Sequence, residues 1–233
     1  RTKKQIYIMY VGPDIVTDGL VFAYDAGSER CYPGTGTSTT NITSQASPGT
    51  LQNGVGFNTA NGGFWEFDGV DNKIEVTTFP ISVFNGSCTM ESWVYWNDDS
   101  RSIILGNYNA GANDVNFEKL DNYRLRFYWN RGERDVTTSY NTVSGSVWQC
   151  VVFVRDTTAN AFKFYVNGVL KQTATNDGSN IASTGSTFRI GADSRNGSTV
   201  TNGDIATVRM YNQALTAAEV LQNYNAQKSR FGL

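Results

Sequence analysis

Residues 147–175 read VWQCVVFVRDTTANAFKFYVNGVLKQTAT, and this stretch decides the fold class. Phe162, Phe164 and Val166 alternate with Lys163, Tyr165 and Asn167, the period of a strand with one buried face. Asn167-Gly168 supplies the two positive φ angles of a tight type I′ turn, so residues 169–175 return as the partner strand. Upstream, residues 147–156 are apolar nearly throughout, as a central strand covered on both faces must be.

Outward from this hairpin the same signals recur. Short runs of Val, Ile, Phe, Tyr and Thr bounded by Gly, Asn, Asp or Ser fall at 20–25, 64–67, 73–78, 88–96, 101–105, 114–120, 123–129, 134–139, 187–191 and 204–211. About a dozen strands at this spacing predict an all-β sandwich or barrel. One helix is expected near the end, where Thr216 to Glu219 spell a capping box and Val220, Leu221 and Tyr224 form an apolar stripe. It is expected to pack across a sheet edge. Residues 32–61, rich in Gly, Ser, Thr and Asn, read as a long surface loop. Residues 1–18 read as an N-terminal arm that folds back on its own sheet or adds a strand to a neighbouring subunit. Residues 19–233 read as one domain, because no linker composition interrupts the strand rhythm.

Composition narrows the chemistry. The chain has 233 residues with 19 basic and 21 acidic side chains, so it lacks the positive field that draws a nucleic acid. It has no histidine, which removes Ser/His and Cys/His nucleophiles and HExxH zinc sites. Any catalysis would rest on carboxylates, lysine or tyrosine. Cys31, Cys88 and Cys150 form an odd set without CxxC spacing, the mark of buried free thiols rather than a disulfide framework or zinc site. No run of 18 apolar residues occurs, and RTKKQIYIMYVGP carries too short an apolar stretch for a signal peptide, so a soluble chain without membrane insertion is expected.

Taken in order, FDGVDNKIEV (67–76), CTMESWVYW (88–96), VWQCVVFVRD, FKFYVNGVLK, FRIGAD (188–193) and GDIATVRMYNQALTAAEV (203–220) resemble laminin-G-like, concanavalin A-like domains. The upstream stretches IVTDGLVFAYDAGSERCYPGTGT (15–37) and GTLQNGVGFNTANGGFWEFDG (49–69) are similar to the version common in bacteriophage virion proteins. The resemblance covers the chain from about residue 12 onward. It implies an antiparallel two-sheet jelly-roll sandwich with one short C-terminal helix. It also implies a protein of the virion surface, a capsid decoration or fibre, with other capsid or tail proteins as partners and a homo-oligomer, commonly a trimer. A secreted bacterial carbohydrate-binding module or adhesin is the alternative. Three positions depart from the pattern. Asp71-Asn72 stands where two acids are common, Cys88 where an aromatic is common, and Gln149 where a histidine often follows the tryptophan.

Laminarinase-like hydrolases need an ExDxxE strand that sets two acids about 5 Å apart over one cleft. No such run occurs, and Asp98-Asp99 falls on a turn, where solvated acids are the default, so no enzyme is expected. Glycan binding calls for aromatic rings beside paired donors and acceptors. Residues 123–129 fit: Leu125, Phe127 and Trp129 share one face, while Arg124, Arg126 and Tyr128 share the other. Arg131 follows directly, and Tyr108 and Tyr140 lie in neighbouring loops. The same residues would equally serve to satisfy one another or to contact a neighbouring subunit. Calcium is the one candidate cofactor. The resemblance brings Asp68, Asp71, Asn72 and Asp204 near one another as oxygen donors, whereas Asp68 and Asp71 also suit bonds to the backbone of their own turn. The sequons at Asn41, Asn85 and Asn196 are expected by chance in so Asn-, Ser- and Thr-rich a chain.

Overall fold

A computed structural model describes residues 13–43, 45–107, 114–129, 134–176, 178, 181, 187–193 and 199–233. Among them sixteen strands form two eight-stranded antiparallel sheets. The first runs β14 (Val169–Thr175), β13 (Ala161–Val166), β12 (Gln149–Asp156), β7 (Cys88–Trp96), β16 (Asn202–Tyr211), β5 (Phe64–Asp68) and β4 (Gly56–Asn58). The long β16 pairs with β5 through its first half and with β1 (Leu20–Asp25) through its second. The second sheet runs β11 (Arg134–Thr137), β10 (Arg124–Trp129), β9 (Val115–Leu120), β8 (Ser102–Asn107), β15 (Phe188–Ile190), β6 (Lys73–Val76), β3 (Pro48–Gln52) and β2 (Ser38–Thr40). The product is an all-β sandwich, one of the two classes the strand rhythm predicts, and the antiparallel jelly roll that the resemblance implies.

Alternating side chains of both sheets meet in the core. Phe22, Trp65, Met90 and Phe153 come from the first sheet, and Ile74, Leu105, Phe117 and Phe127 from the second. Phe127 and Phe153 stack across the gap with ring centroids 4.0 Å apart. Each such ring contributes about 2–3 kcal/mol by leaving water. The expected hairpin is present, with Asn167 and Gly168 at φ 51° and 77°. Asn167 also accepts the Cys150 amide through Oδ1 at 2.9 Å, which fixes the turn to the start of β12. All three cysteines are buried free thiols.

The continuous apolar run of β12 has a specific cause. Val151 and Phe153 enter the main core, while Cys150, Val152 and Val154 belong to a second core on the outer face of the same sheet. That face is covered by α1 (Ala217–Gln227) and the segment after it. The capping box holds as predicted, with the Glu219 amide donating to Thr216 and the Thr216 amide to Glu219 at 2.7 Å. The helix reaches the edge strand β14, as the sequence suggests, and extends beyond it. It lies over the strands themselves, because Trp93, Cys150 and Val152 make the outer face apolar, and Trp93 stacks on Tyr224 and Phe231 at 5.8 and 4.1 Å. Beneath it a buried network joins Arg209 to Glu91 at 2.7 Å, Asn223 to Glu91 at 2.8 Å and Arg209 to Gln227 at 2.8 Å. Residues 13–18 run beside the helix, where the Val16 amide donates to Asn223 at 2.7 Å and Gln222 donates to the Asp14 carbonyl at 2.8 Å. Residues 1–12 of the expected arm lie outside the described residues.

Residues 32–61 are not a plain loop. They contain β2, β3 and β4, strands of three to five residues whose polar composition hides them. Among the described residues no helix is long and apolar enough to cross a membrane.

Candidate functional site

Because β10 sends Leu125, Phe127 and Trp129 into the core, Arg124, Arg126 and Tyr128 stand on the outer face of the second sheet. Register then chooses their neighbours. Arg126 pairs with Glu118 and Tyr128 with Asn116 on β9. Asn116 in turn pairs with Gly106 on β8, and Gly106 with Arg189 on β15.

Glu118 is the hub of this face. Its side chain is wholly buried; Arg101 Nε donates to it at 2.8 Å with Nη2 ion-paired at 2.7 Å, and Arg126 Nε donates as well. Burial pushes the Glu118 carboxyl above its ordinary range, and the guanidinium groups of Arg101 and Arg126 pull it back. Arg126 lies 4.8 Å and Arg101 5.9 Å from the centroid of Tyr128. Tyr128 is only 1% exposed, so its ring supports the two guanidinium groups from below instead of facing solvent, which corrects the expectation drawn from alternation alone. The open ring of the group is Tyr140, 66% exposed, with Arg124 4.9 Å over it and 3.0 Å from Asp121. Arg124 thus meets Tyr140, and Arg126 meets Tyr128. Tyr108 and Arg131 lie outside the described residues.

Sequence reasoning missed Arg101, Glu118 and Asn116. The signal was present in VNFEKL, where Asn116 and Glu118 alternate with the core residues Val115 and Phe117. Asn116 is wholly buried, and among the described residues neither atom of its amide group has a hydrogen-bond partner. Its side chain lies over Gly106, where a Cβ would stand 1.6 Å from Asn116 Oδ1.

Of the residues considered for calcium, Asp68 and Asn72 are engaged in their own turn. Asp68 Oδ1 accepts the Val70 amide at 2.8 Å, Asn72 Oδ1 accepts the Asp68 amide at 2.9 Å, and Asn72 Nδ2 donates to the Asn53 carbonyl. Asp204 pairs across the strands with Glu66, and burial, then the Glu66 charge, raise its pKa to about 6. Among the described residues no group of three or more His, Cys, Asp or Glu is placed to hold a metal ion. Asp98 and Asp99 are not simply solvated either. Asp98 accepts the Ser100 amide at 2.8 Å, Asp99 accepts the Asn122 and Tyr123 amides at 2.8 and 2.9 Å, and the buried Lys119 ammonium donates to the Asp98 and Ser100 carbonyls.

A laminin-G-type family model, described as the concanavalin A-like lectin/glucanases superfamily, matches residues 67–221, well over half of the chain. The chain belongs to this superfamily. The match begins at Phe67, so the upstream stretch that resembles virion proteins falls almost wholly outside it. No curated protein sequence matches the chain. Among solved structures of similar fold is the receptor-binding domain of a botulinum neurotoxin C/D mosaic serotype, with TM-score 0.70 and 13% identity over 91% of this chain and 52% of that one. The binding domain of botulinum neurotoxin DC in complex with rat synaptotagmin II gives TM-score 0.70 and 14% identity over 91% and 52%. The ligand-binding domain of botulinum neurotoxin serotype D in complex with N-acetylneuraminic acid gives 0.68 and 13% over 90% and 51%. This superfamily member spans about half the length of those chains, and identities so low show the shared fold alone.

Proposed function

We propose that this superfamily member is a non-catalytic attachment domain of the virion surface, a capsid decoration or fibre domain, which binds glycan on the outer face of its second sheet. The observation that carries the binding role is the exposed Tyr140 ring with Arg124 4.9 Å over it, beside Arg126 and Arg101 fixed on a buried carboxylate. Sugars offer apolar CH faces to such a ring and hydroxyls to such guanidinium donors. Glu118 is spent on two arginines, so it holds donors in place. A botulinum neurotoxin domain of the same fold in complex with N-acetylneuraminic acid supports the binding class. The resemblance of residues 15–37 and 49–69 supports the virion setting, with capsid or tail proteins as partners. The alternative is a secreted bacterial carbohydrate-binding module or adhesin.

A glycan array tests the binding role. Retention of at least one glycan is expected, weakened roughly tenfold or more in Tyr140→Ala and Arg124→Ala. No retention, or retention unchanged in both variants, overturns it. Size measurement separates the settings, since a decoration or fibre protein forms a symmetric oligomer such as a trimer, whereas a binding module stays monomeric. Turnover of β-glucan or alginate that vanishes in Asp204→Asn would establish an enzyme instead.

A further inference from the structure

The segments after β1 and β4 meet in a cleft of about 280 Å³, at the small end of ligand sites and sized for one ring. Phe57 and Tyr32 line it edge to face, with centroids 5.1 Å apart at 67°, and the Tyr32 hydroxyl is already spent on the Gly36 carbonyl at 2.9 Å. Glu29 and Thr59 also line it, and neither the carboxylate nor the hydroxyl has a partner among the described residues. The walls are fixed in advance. Gly27 approaches Gly62 so closely that a Cβ would stand 1.7 Å from the Gly62 carbonyl oxygen. Arg230 bonds the carbonyls of Asn61 and Gly63 and reaches the Asp25 carboxylate at 2.8 Å, which ties both segments to the end of the chain.

We infer that this cleft is a second binding site and takes one neutral saccharide unit, its CH face on Phe57 and its hydroxyls on Glu29 and Thr59. A preformed concavity with an apolar ring and two unspent oxygen groups is what a small polyhydroxylated ring requires. The acid sets the class, because a carboxylate accepts hydroxyl donors strongly but repels a sugar that carries its own carboxylate. The cleft belongs to the edge of the first sheet, whereas the Arg124–Tyr140 face belongs to the second, so the two sites fail or succeed separately.

The test is a titration of the ¹⁵N-labelled chain with methyl α-glucopyranoside, methyl β-galactopyranoside, N-acetylglucosamine and, as the anionic control, sialyllactose, read by amide shifts. At least one neutral sugar is expected to shift residues 26–34 and 57–63. Its affinity should fall roughly tenfold in Glu29→Ala, stay unchanged in Tyr140→Ala, and fall again in Phe57→Leu, which keeps the site apolar but removes the ring. Glu29 is exposed and makes no contact that folding needs, so its variant isolates binding from stability. The inference is overturned if none of the neutral sugars shifts these residues, if sialyllactose binds there more tightly, or if both cleft variants leave the affinity unmoved. Shifts confined to the surroundings of Tyr140 would overturn the cleft while supporting the outer face.

Discussion

Asn116 and Gly106 occupy one space between them. Gly106→Ala is expected to cost about 2 kcal/mol or more, because the added methyl group drives into a closed site. In an Asn116→Ala background the same change should cost under about 0.5 kcal/mol, so a double-mutant cycle from urea melts should show coupling above roughly 1 kcal/mol. Simple additivity would place the Asn116 side chain elsewhere. A second expectation concerns the thiols. Burial pushes Cys88 up to about 12 against a small pull from Arg155, and burial, then the Glu91 charge, holds Cys150 well above its ordinary value. A disulfide reagent at pH 8 should therefore label neither in the folded chain and both on unfolding. The cysteines were legible in the sequence because odd number and spacing speak for themselves. The burial of Tyr128 was not, since alternation names the face of a strand but not what covers that face.

Among elements, α1 shows how an outer face can be as demanding as a core. Arg209 and Glu91 are both buried under it, so removing one strands the other's charge, and Arg209→Met is expected to cost about 3–5 kcal/mol. Thr216→Ala, which loses only the cap, should cost about 1 kcal/mol. Denaturant melts showing equal losses would mean that the helix is not anchored through this pair. Acid titration reports on β16. The Asp204 pKa is raised to about 6 from 3.8, so its folded state favours the neutral acid. The resulting stability is complete below pH 3.8 and fades as pH rises through about 6. Asp204→Asn should therefore melt higher than the parent at pH 7.5, with the advantage gone at pH 3.5. The cap of α1 was readable because its signal spans four adjacent residues. Its docking place was not, because Trp93 and Cys150 sit in runs where inner and outer apolar side chains mingle. β3 escaped notice for another reason: PGTLQ offers one large apolar residue, Leu51, and begins with a proline.

For the whole molecule, local pattern settled the layers but not their order. β15 inserts between β8 and β6, and β16 between β7 and β5, pairings that join residues distant in sequence, such as Phe188 with Val76 and Tyr211 with Thr89. The Arg101–Glu118–Arg126 cluster depends on that order and on register, which is why β10 alone revealed half of it. The last residues tie into the body of the fold. Phe231 lies on Trp93 and Arg230 reaches Asp25, so Phe231→Ala is expected to cost about 3–5 kcal/mol in a denaturant melt, as large aromatic truncations in packed sites do. Val16 and Phe231 share the second core, so the beginning and end of the fold come together behind the first sheet. Anything tethered at Val16 or Phe231 would hold the fold from the back. The Arg124–Tyr140 surface then points away from the mount, like a lamp turned from its bracket, and a bulky fusion at either end should leave glycan retention intact.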